Sequence, residues 1–383
     1  MAHPLIIIGT GLAGYNLARE WRKLDKDSPL TMVTQDDGAF YSKPMLSNAL
    51  AKQKTAAELP MGTAEKMAAD LNAHILTHTV LTQIDAANSS ITLDNGQILT
   101  YSDLVLALGA SAIIHPVDGD AADHVFTVND LASYSRFRQA ILDKRHITIL
   151  GPGLIGCEFA NDLLQAGYQV SLVGPSSQPL DRLLPTAASN AIMSALTAEG
   201  VDWQLGTTCR AVHHHEDRLR LHLDNGVQLH TDIVLSAVGL QPNTALARQA
   251  GIQVNRGIRV DRFLQSSAAH IYALGDCAEV EGLVLPYVMP LMNSARALAR
   301  TLNGERSIVN YPAMPVVVKT PIHPIVVSPP SSEQVGEWRI DSNTDGIMAC
   351  FYAEDERLLG FALTGRRVSE KQRLSKLLPP VLT

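Results

Sequence analysis

An α/β fold with two doubly wound domains and a small α+β carboxy-terminal domain is what this 383-residue sequence predicts. Three observations carry the prediction. A strand, a glycine-rich turn and a helix follow one another twice in the same order. Each copy runs on through an alternating segment into an Asp-Asn-Gly turn and closes with an apolar strand that ends in glycine. The chain is also too long for one ordinary core, since about 100–200 residues per domain is usual. Its 46% hydrophobic against 18% charged residues is the balance of a globular chain that buries its apolar surface.

In the first copy Leu5 to Ile8 is a short apolar run that predicts a buried strand, Gly9-Thr10-Gly11-Leu12-Ala13-Gly14 is the turn, Tyr15 to Arg22 is helix and Leu30 to Val33 is the next strand. In the second, Ile147 to Leu150 precedes Gly151-Pro152-Gly153-Leu154-Ile155-Gly156, a helix runs to about Leu164, and Val170 to Val173 follows. Ile91-Thr92-Leu93 enters Asp94-Asn95-Gly96, and Leu219 to Leu223 enters Asp224-Asn225-Gly226; both are hairpin signals, because these residues tolerate the left-handed backbone of a tight turn. Asp103 to Gly109 then matches Asp232 to Gly239. Near the end, Val316 to Val318, Ile325 to Val327, Ile347 to Tyr352 and Leu359 to Thr364 read as strands, followed by a basic helix over Ser369 to Leu378. The expected division is 1–112 with 245–310 for the first domain, 113–244 for the second, and 311–383 for the third.

The glycines have a common physical purpose. The first makes a tight turn, the second admits a diphosphate to the backbone, and the third lets helix pack on strand, which is the dinucleotide-binding arrangement of a Rossmann-like unit. The helix start supplies unpaired N–H groups and the positive end of the peptide dipoles, so an anion is held without a lysine. One such motif alone is weak evidence, whereas two in matching context are specific. Both copies depart from the pattern where an acid about 20 residues downstream would hold a ribose. Thr34 stands there in the first, with Asp36 and Asp37 nearby, and Gly174 in the second. Gly174-Pro175-Ser176-Ser177-Gln178 offers no cation for a 2′-phosphate, which points to NADH over NADPH, with Arg182 as the reservation.

A net charge of −7 argues against a nucleic-acid partner, which needs a broad positive field. Cys157, Cys209, Cys277 and Cys350 lie far apart, without disulfide-scaffold or zinc spacing. The amino terminus has no basic segment, and its apolar run is too short for a signal peptide or a membrane span, so a cytoplasmic protein is expected. His213-His214-His215 reads as polar strand or loop, because adjacent strand residues point to opposite faces and do not easily converge on a metal.

Ile271-Tyr272-Ala273-Leu274-Gly275-Asp276 ends a predicted strand with a carboxylate able to accept hydrogen bonds from a chain of hydroxyls. Pro290 suits the first residue of a helix that runs through Leu298 to Asn303-Gly304. With the first glycine turn, this segment resembles the paired FAD fingerprint of the two-dinucleotide-domain flavoprotein reductases. Tyr41-Ser42-Lys43-Pro44-Met45-Leu46-Ser47, the second turn with Glu158, and Pro315 to Pro330 narrow the resemblance, over essentially the whole chain, to the rubredoxin–NAD reductases within that superfamily. The resemblance implies FAD against Gly9, Gly11, Leu12, Ala13, Gly14, Thr34, Lys43, Pro44, Ala107, Gly109, Gly275, Asp276, Val288 and Lys319, and NADH against Gly151, Gly153, Leu154, Ile155, Gly156, Glu158 and Gly239. Lys43 and Pro44 would line the flavin and Glu158 would meet the nicotinamide; a first-turn glutamate stabilising its helix dipole is the other reading of Glu158. Lys319 either modulates the flavin or simply ends a strand.

The family's disulfide reductases carry redox cysteines where this chain has Tyr41 to Ser47, and no cysteine stands there. The implied activity is therefore direct. A hydride passes from NADH to flavin N5, and single electrons then leave for rubredoxin, a small acidic iron protein serving alkane hydroxylation or oxygen detoxification. Arg366, Arg367, Lys371, Arg373 and Lys376 could supply local positive charge for docking, or simply belong to a solvated helix. The alternatives are an NADH–ferredoxin reductase, although the tryptophan-rich segment usual there is replaced by Val316-Val317-Val318-Lys319-Thr320-Pro321, and an NADH-sensing flavoprotein that acts by binding partners.

Overall fold

The structure, a computed structural model, describes residues 3–383. Its first five-stranded sheet is wholly parallel, in the order Ile271–Ala273, Asp103–Leu106, Leu5–Ile8, Leu30–Val33, His74–Leu76. The second is also wholly parallel, in the order Val125–Thr127, Ile233–Ser236, His146–Leu150, Gln169–Gly174, Asp202–Leu205. The two orders superimpose strand for strand. Only the outermost strand differs in origin, coming from late in the chain in the first sheet and from just before the repeat in the second. Each unit also carries a three-stranded antiparallel meander, Leu81–Asp85 with Ser90–Leu93 and Ile98–Thr100 in one, Cys209–His215 with Arg218–Leu223 and Gln228–Thr231 in the other. The Asp-Asn-Gly turns join their second and third strands, with Gly96 at φ +80° and Gly226 at φ +86°. The three histidines occupy strand, one of the two expected alternatives.

The central strands are apolar on both faces because helices cover both sides of a parallel sheet. Leu5, Ile6, Ile7 and Ile8 are all buried, as are Ile147, Ile149 and Leu150. The helix after the first glycine turn is Leu12–Arg22, and that after the second is Leu154–Gln165. The first therefore begins at Leu12, before the expected Tyr15, since the turn itself supplies the opening helical residues. A further helix, Val288–Leu302, packs along Leu12–Arg22. It starts two residues before the expected Pro290, which is its third residue. Proline is accommodated there because the first-turn N–H groups have no intrahelical acceptor to lose.

The last domain is a five-stranded antiparallel sheet in the order Val316–Val318, Ile325–Ser328, Leu358–Thr364, Gly346–Tyr352, Glu337–Asn343. Four of these strands were expected and Glu337–Asn343 was not. Of that strand only Trp338 is even half-covered, and its apolar alternation stops at Trp338 and Ile340, before Asp341-Ser342-Asn343. The expected Ser369–Leu378 helix is a 3₁₀ turn, Gly365–Glu370, followed by a short helix, Lys371–Ser375. Leu378 precedes Pro379-Pro380, and a residue before proline avoids helical backbone. One face of the sheet shares a core with the second doubly wound unit: Val318, Ile325, Val327, Ile347, Ala349 and Ala362 pack with Ile149, Leu172, Ile192 and Leu196. The opposite face closes over Phe361, Leu363 and Leu374. Among the described residues no helix is long and apolar enough to cross a membrane.

Candidate active site

Both glycine turns lie at the carboxyl ends of their sheets, the side on which open α/β sheets bind ligands. In the first, Gly9 N–H donates to Val33 O at 2.8 Å, Ala107 N–H to Ile8 O at 2.9 Å and Leu274 N–H to Leu106 O at 3.2 Å. The turn, Thr34, Ala107 and the Gly275-Asp276 segment are thereby brought along one sheet edge. Gly9 has φ +108°, and a Cβ on it would strike the Ala107 carbonyl. A Cβ on Gly14 would strike the Gly9 carbonyl, so helix and strand meet at a distance only glycine permits. Gly11 has open space where its Cβ would point, and as N-cap it gives the Leu12–Arg22 helix no side-chain cap. The N–H groups of the first turn, including those of Leu12 and Ala13, are left without intrahelical acceptors for an anion.

Asp36 completes this edge. Its Oδ1 accepts from Thr34 Oγ1 at 2.6 Å, from Thr10 Oγ1 at 3.4 Å and from Gly38 N at 3.0 Å. A carboxylate two residues past Thr34 is therefore tied back to the glycine turn. Asp276 is half-buried, and burial raises its pKa while Lys43 pulls it down. No donor among the described residues reaches it, so its oxygens are free to accept from a ligand. Lys43, whose own pKa is lowered by burial, donates to Asn129 Oδ1 at 3.3 Å. Lys43 and Pro44 open the turn Lys43–Asn48. Val288 is exposed at the start of its helix, beside the segment that carries Asp276.

The second turn repeats the first. Gly151 N–H donates to Val173 O at 2.8 Å and Ala237 N–H to Leu150 O at 2.7 Å. A Cβ on Gly156 would strike the Gly151 carbonyl, and Gly153 is an uncapped N-cap with open space beyond it. Leu154 and Ile155 form the first helical turn, Ile155 being exposed. Gly174 has its own explanation: a Cβ there would collide with the ring of Pro152, so the proline fills the place that a ribose-binding acid would need. The two sites are joined by paired antiparallel strands, Ala110–Ala112 with Leu240–Pro242. Gly109 and Gly239 immediately precede these strands; Gly109 O accepts from Asn243 N at 3.0 Å and Gly239 O from Ile113 N at 3.0 Å. The carboxyl ends of the two sheets therefore feed the same link.

Glu158 lies at their junction and is 1% exposed. It is the fifth residue of its helix, beyond the first turn, so stabilisation of the dipole end is not its part. Its carboxylate accepts from Ser47 Oγ at 2.7 Å and from Lys319 N at 3.0 Å, and it forms an ion pair with Lys319 Nζ. Lys319, undecided from sequence, is thus the cation of a largely buried pair contributed by two different domains. Lys43 stands outside that pair.

Residues 3–299 match the pyridine nucleotide-disulphide oxidoreductase family. The chain belongs to this family. Residues 308–378 match the rubredoxin binding C-terminal domain. The rubredoxin-NAD(+) reductases of Alcanivorax borkumensis and Acinetobacter baylyi are 51% and 45% identical to it, each over 99% of this chain and over 100% and 99% of their own lengths. Among solved structures, the covalent putidaredoxin reductase–putidaredoxin complex aligns with a TM-score of 0.88 at 26% identity, over 99% of this chain and 94% of that one. The NADH:rubredoxin oxidoreductase of Clostridium acetobutylicum aligns with a TM-score of 0.82 at 22% identity, over 99% and 95%, a likeness that shows the fold alone.

Membership of the pyridine nucleotide-disulphide oxidoreductases implies a flavin and NAD(H), and the donor set fits both. Each glycine turn leaves a cradle that a single Cβ would fill, and the first adds an unpartnered carboxylate at Asp276. The family's redox disulfide has no counterpart. All four cysteines are buried and unpaired, and burial pushes the Cys277 thiol up to about 12. Such thiols stay protonated and do not relay electrons.

Proposed function

We propose that this chain is an NADH-dependent FAD reductase that delivers electrons to rubredoxin. The observation that carries the reading is the pairing of two glycine-turn sites across one two-stranded link, in a chain whose last domain matches a rubredoxin binding module. FAD held there would supply the chemistry that turns a hydride from NADH into two single electrons. Gly9, Gly11 and Gly14, with the Leu12 and Ala13 amides, would seat the FAD diphosphate, and Asp36 would take the adenosine ribose. Asp276 would accept hydrogen bonds from the ribityl hydroxyls. The Val288–Leu302 helix would turn its positive end toward the flavin pyrimidine. Gly151, Gly153 and Gly156, with the Leu154 and Ile155 amides, would seat NADH, and Gly109 and Gly239 would let the two ring systems approach without intervening side chains. Lys43, Pro44 and the Glu158–Lys319 pair would wall the space where nicotinamide meets flavin. With no proton to abstract, the protein's task is stacking, orientation and exclusion of water. We place the enzyme in the cytoplasm, where NADH is generated.

The test is anaerobic. NADH added to the FAD-loaded chain should bleach the flavin within seconds, and rubredoxin added next should be reduced over many turnovers as the flavin recolours. Failure to bleach would overturn the NADH–FAD reading. Bleaching followed by rapid turnover with a [2Fe–2S] ferredoxin but not with rubredoxin would replace the carrier, in line with the likeness to the putidaredoxin reductase complex. One reduction followed by a stall would indicate a sensor.

A further inference from the structure

The helix that opens at the second glycine turn also grips both neighbouring domains. Glu158, Asn161 and Asp162 are spaced i, i+3 and i+4, so they share one face, and each is at most 3% exposed. Glu158 holds Ser47 and Lys319 as described. Asn161 Oδ1 accepts from Ile322 N at 3.0 Å, in the last domain. The Asp162 carboxylate accepts from Leu50 N at 3.0 Å on one oxygen and from Ala51 N at 2.9 Å on the other. Leu50 and Ala51 lie just past the Lys43–Asn48 turn, which presents Lys43 and Pro44. That turn is therefore held near its end by Glu158, through Ser47, and just beyond it by Asp162. Both side chains stand on the helix whose first residues face the nicotinamide site.

We propose that Asp162 is a positioning residue for hydride transfer: through the Leu50 and Ala51 amides it holds the Lys43–Asn48 turn in register with the second glycine turn. This rests on the reading of the two sites as FAD and NADH sites. A buried carboxylate with two amide donors could equally serve stability alone, and the chain contains its own comparator. Asp232 Oδ2 accepts from two successive amides, Arg145 N and His146 N, both at 2.9 Å. It sits at the opposite end of the same sheet, where Gln169 N–H meets Arg145 O and the parallel strands begin. Both aspartates accept from two successive amides; Asp232 adds an ion pair with Arg218, Nε to Oδ1 at 2.9 Å, and only Asp162 touches the cofactor-facing turn.

The experiment compares Asp162→Asn with Asp232→Asn in the full FAD-loaded chain. Asparagine keeps the size but turns one acceptor into a donor that faces an N–H. Three quantities are read: the thermal midpoint, hydrogen exchange at the Leu50 and Ala51 amides, and the NADH dependence of flavin bleaching, which separates affinity from limiting rate. Both variants should lose thermal stability. Only Asp162→Asn should speed exchange at Leu50 and Ala51 and lower the limiting bleaching rate by about tenfold or more, with NADH affinity within about twofold, because displacement of the order of 1 Å can cost about 10²-fold in a hydride-transfer geometry. Asp162→Glu, which keeps the charge but moves the acceptor by one methylene, should lower the same rate and serves if the asparagine variant does not fold. A limiting rate at the wild-type value in either Asp162 variant, or a fall no larger than in Asp232→Asn, would overturn the proposal. A wild-type chain whose flavin NADH fails to bleach would overturn the functional reading itself, and the proposal with it.

Discussion

One methyl group should separate the two dinucleotide sites. A Cβ on Gly14 would overlap the Gly9 carbonyl oxygen, and one on Gly156 would overlap that of Gly151. Both obstacles are backbone, so neither can swing aside as a flexible side chain would. Each Cβ would lie 1.9 Å from that oxygen, so the helix must draw back from its strand by about 1.4 Å or more to restore an ordinary carbon–oxygen contact, and its first-turn amides move with it. An N–H bond to an anionic oxygen is worth about 1.5–3 kcal/mol and is lost when a separation near 2.9 Å grows by about 1 Å. Losing two such bonds costs about 3–6 kcal/mol, or about 10²–10⁴-fold in dissociation constant. Gly14→Ala should therefore be purified largely colourless, and fluorescence titration of its apoprotein should show FAD affinity reduced by that factor. Gly156→Ala should stay yellow and bind FAD normally, while the NADH concentration that half-saturates flavin bleaching rises by that factor. The reasoning is refuted if Gly14→Ala binds FAD within threefold of wild type, or if Gly156→Ala loses FAD while NADH saturation is unchanged.

Other outcomes follow from the same geometry. Glu158→Ala strands the Lys319 ammonium in a site where only a quarter of its side chain is exposed and should cost about 3 kcal/mol in urea unfolding, the low end for breaking a buried pair; adding Lys319→Met should recover part of this, and a loss under about 1 kcal/mol would mean that solvent already compensates the lysine. Arg366, Arg367 and Arg373 are paired with Asp345, Asp341 and Glu370, so reversal of Lys371 and Lys376 should slow reduction of an acidic carrier more than reversal of Arg367, an effect visible at about 10 mM ionic strength and gone near 1 M. His146 has its pKa lowered by burial, so the fold favours its neutral form: stability is present above the ordinary value of about 6.5 and is lost as pH falls through the lower folded value. His146→Gln should flatten the fall in unfolding free energy between pH 7.5 and 5.5, and an unchanged fall would assign it to other groups.

What could be read before folding was what local sterics encode. Gly14 and Gly156 announce a close helix–strand approach that no other residue allows, and Gly96 and Gly226 announce left-handed turns, so the duplicated sheets were legible residue by residue. The carboxylate that meets the first glycine turn was visible only as Asp36 and Asp37 lying near Thr34, because a hydrogen bond from Thr10 across the sheet edge singles out Asp36. Gly174 read as a departure until the Pro152 ring was seen packed against it. The Glu158–Lys319 pair was illegible for a different reason. The two residues are 161 positions apart, and neither residue's local pattern carries information about the other. Glu337–Asn343 escaped because its apolar alternation is only two residues long, Trp338 and Ile340, and the rest of a largely exposed strand is polar.

The distribution of buried polar contacts bears on how such a chain can turn over. The last domain shares its apolar core with the second doubly wound unit, so the surface matched to rubredoxin moves with the unit that would carry NADH. The Lys43–Asn48 turn of the first unit is tied to that same body by Glu158 and Asp162. Swinging the second unit away would strip Leu50 N and Ala51 N from Asp162 and Ser47 Oγ from Glu158, which keeps Lys319, a loss of about 1.5–3 kcal/mol for each hydrogen bond to a charged group. A state that costly is populated at well under one part in a thousand. The expected catalytic cycle then contains no rotation of the second unit away from the Lys43–Asn48 turn. Hydrogen exchange at Leu50 and Ala51 that stays equally slow in the oxidised, reduced and NAD⁺-bound chain is the expected signature. Faster exchange at these amides in any one of those states would put the rotation back.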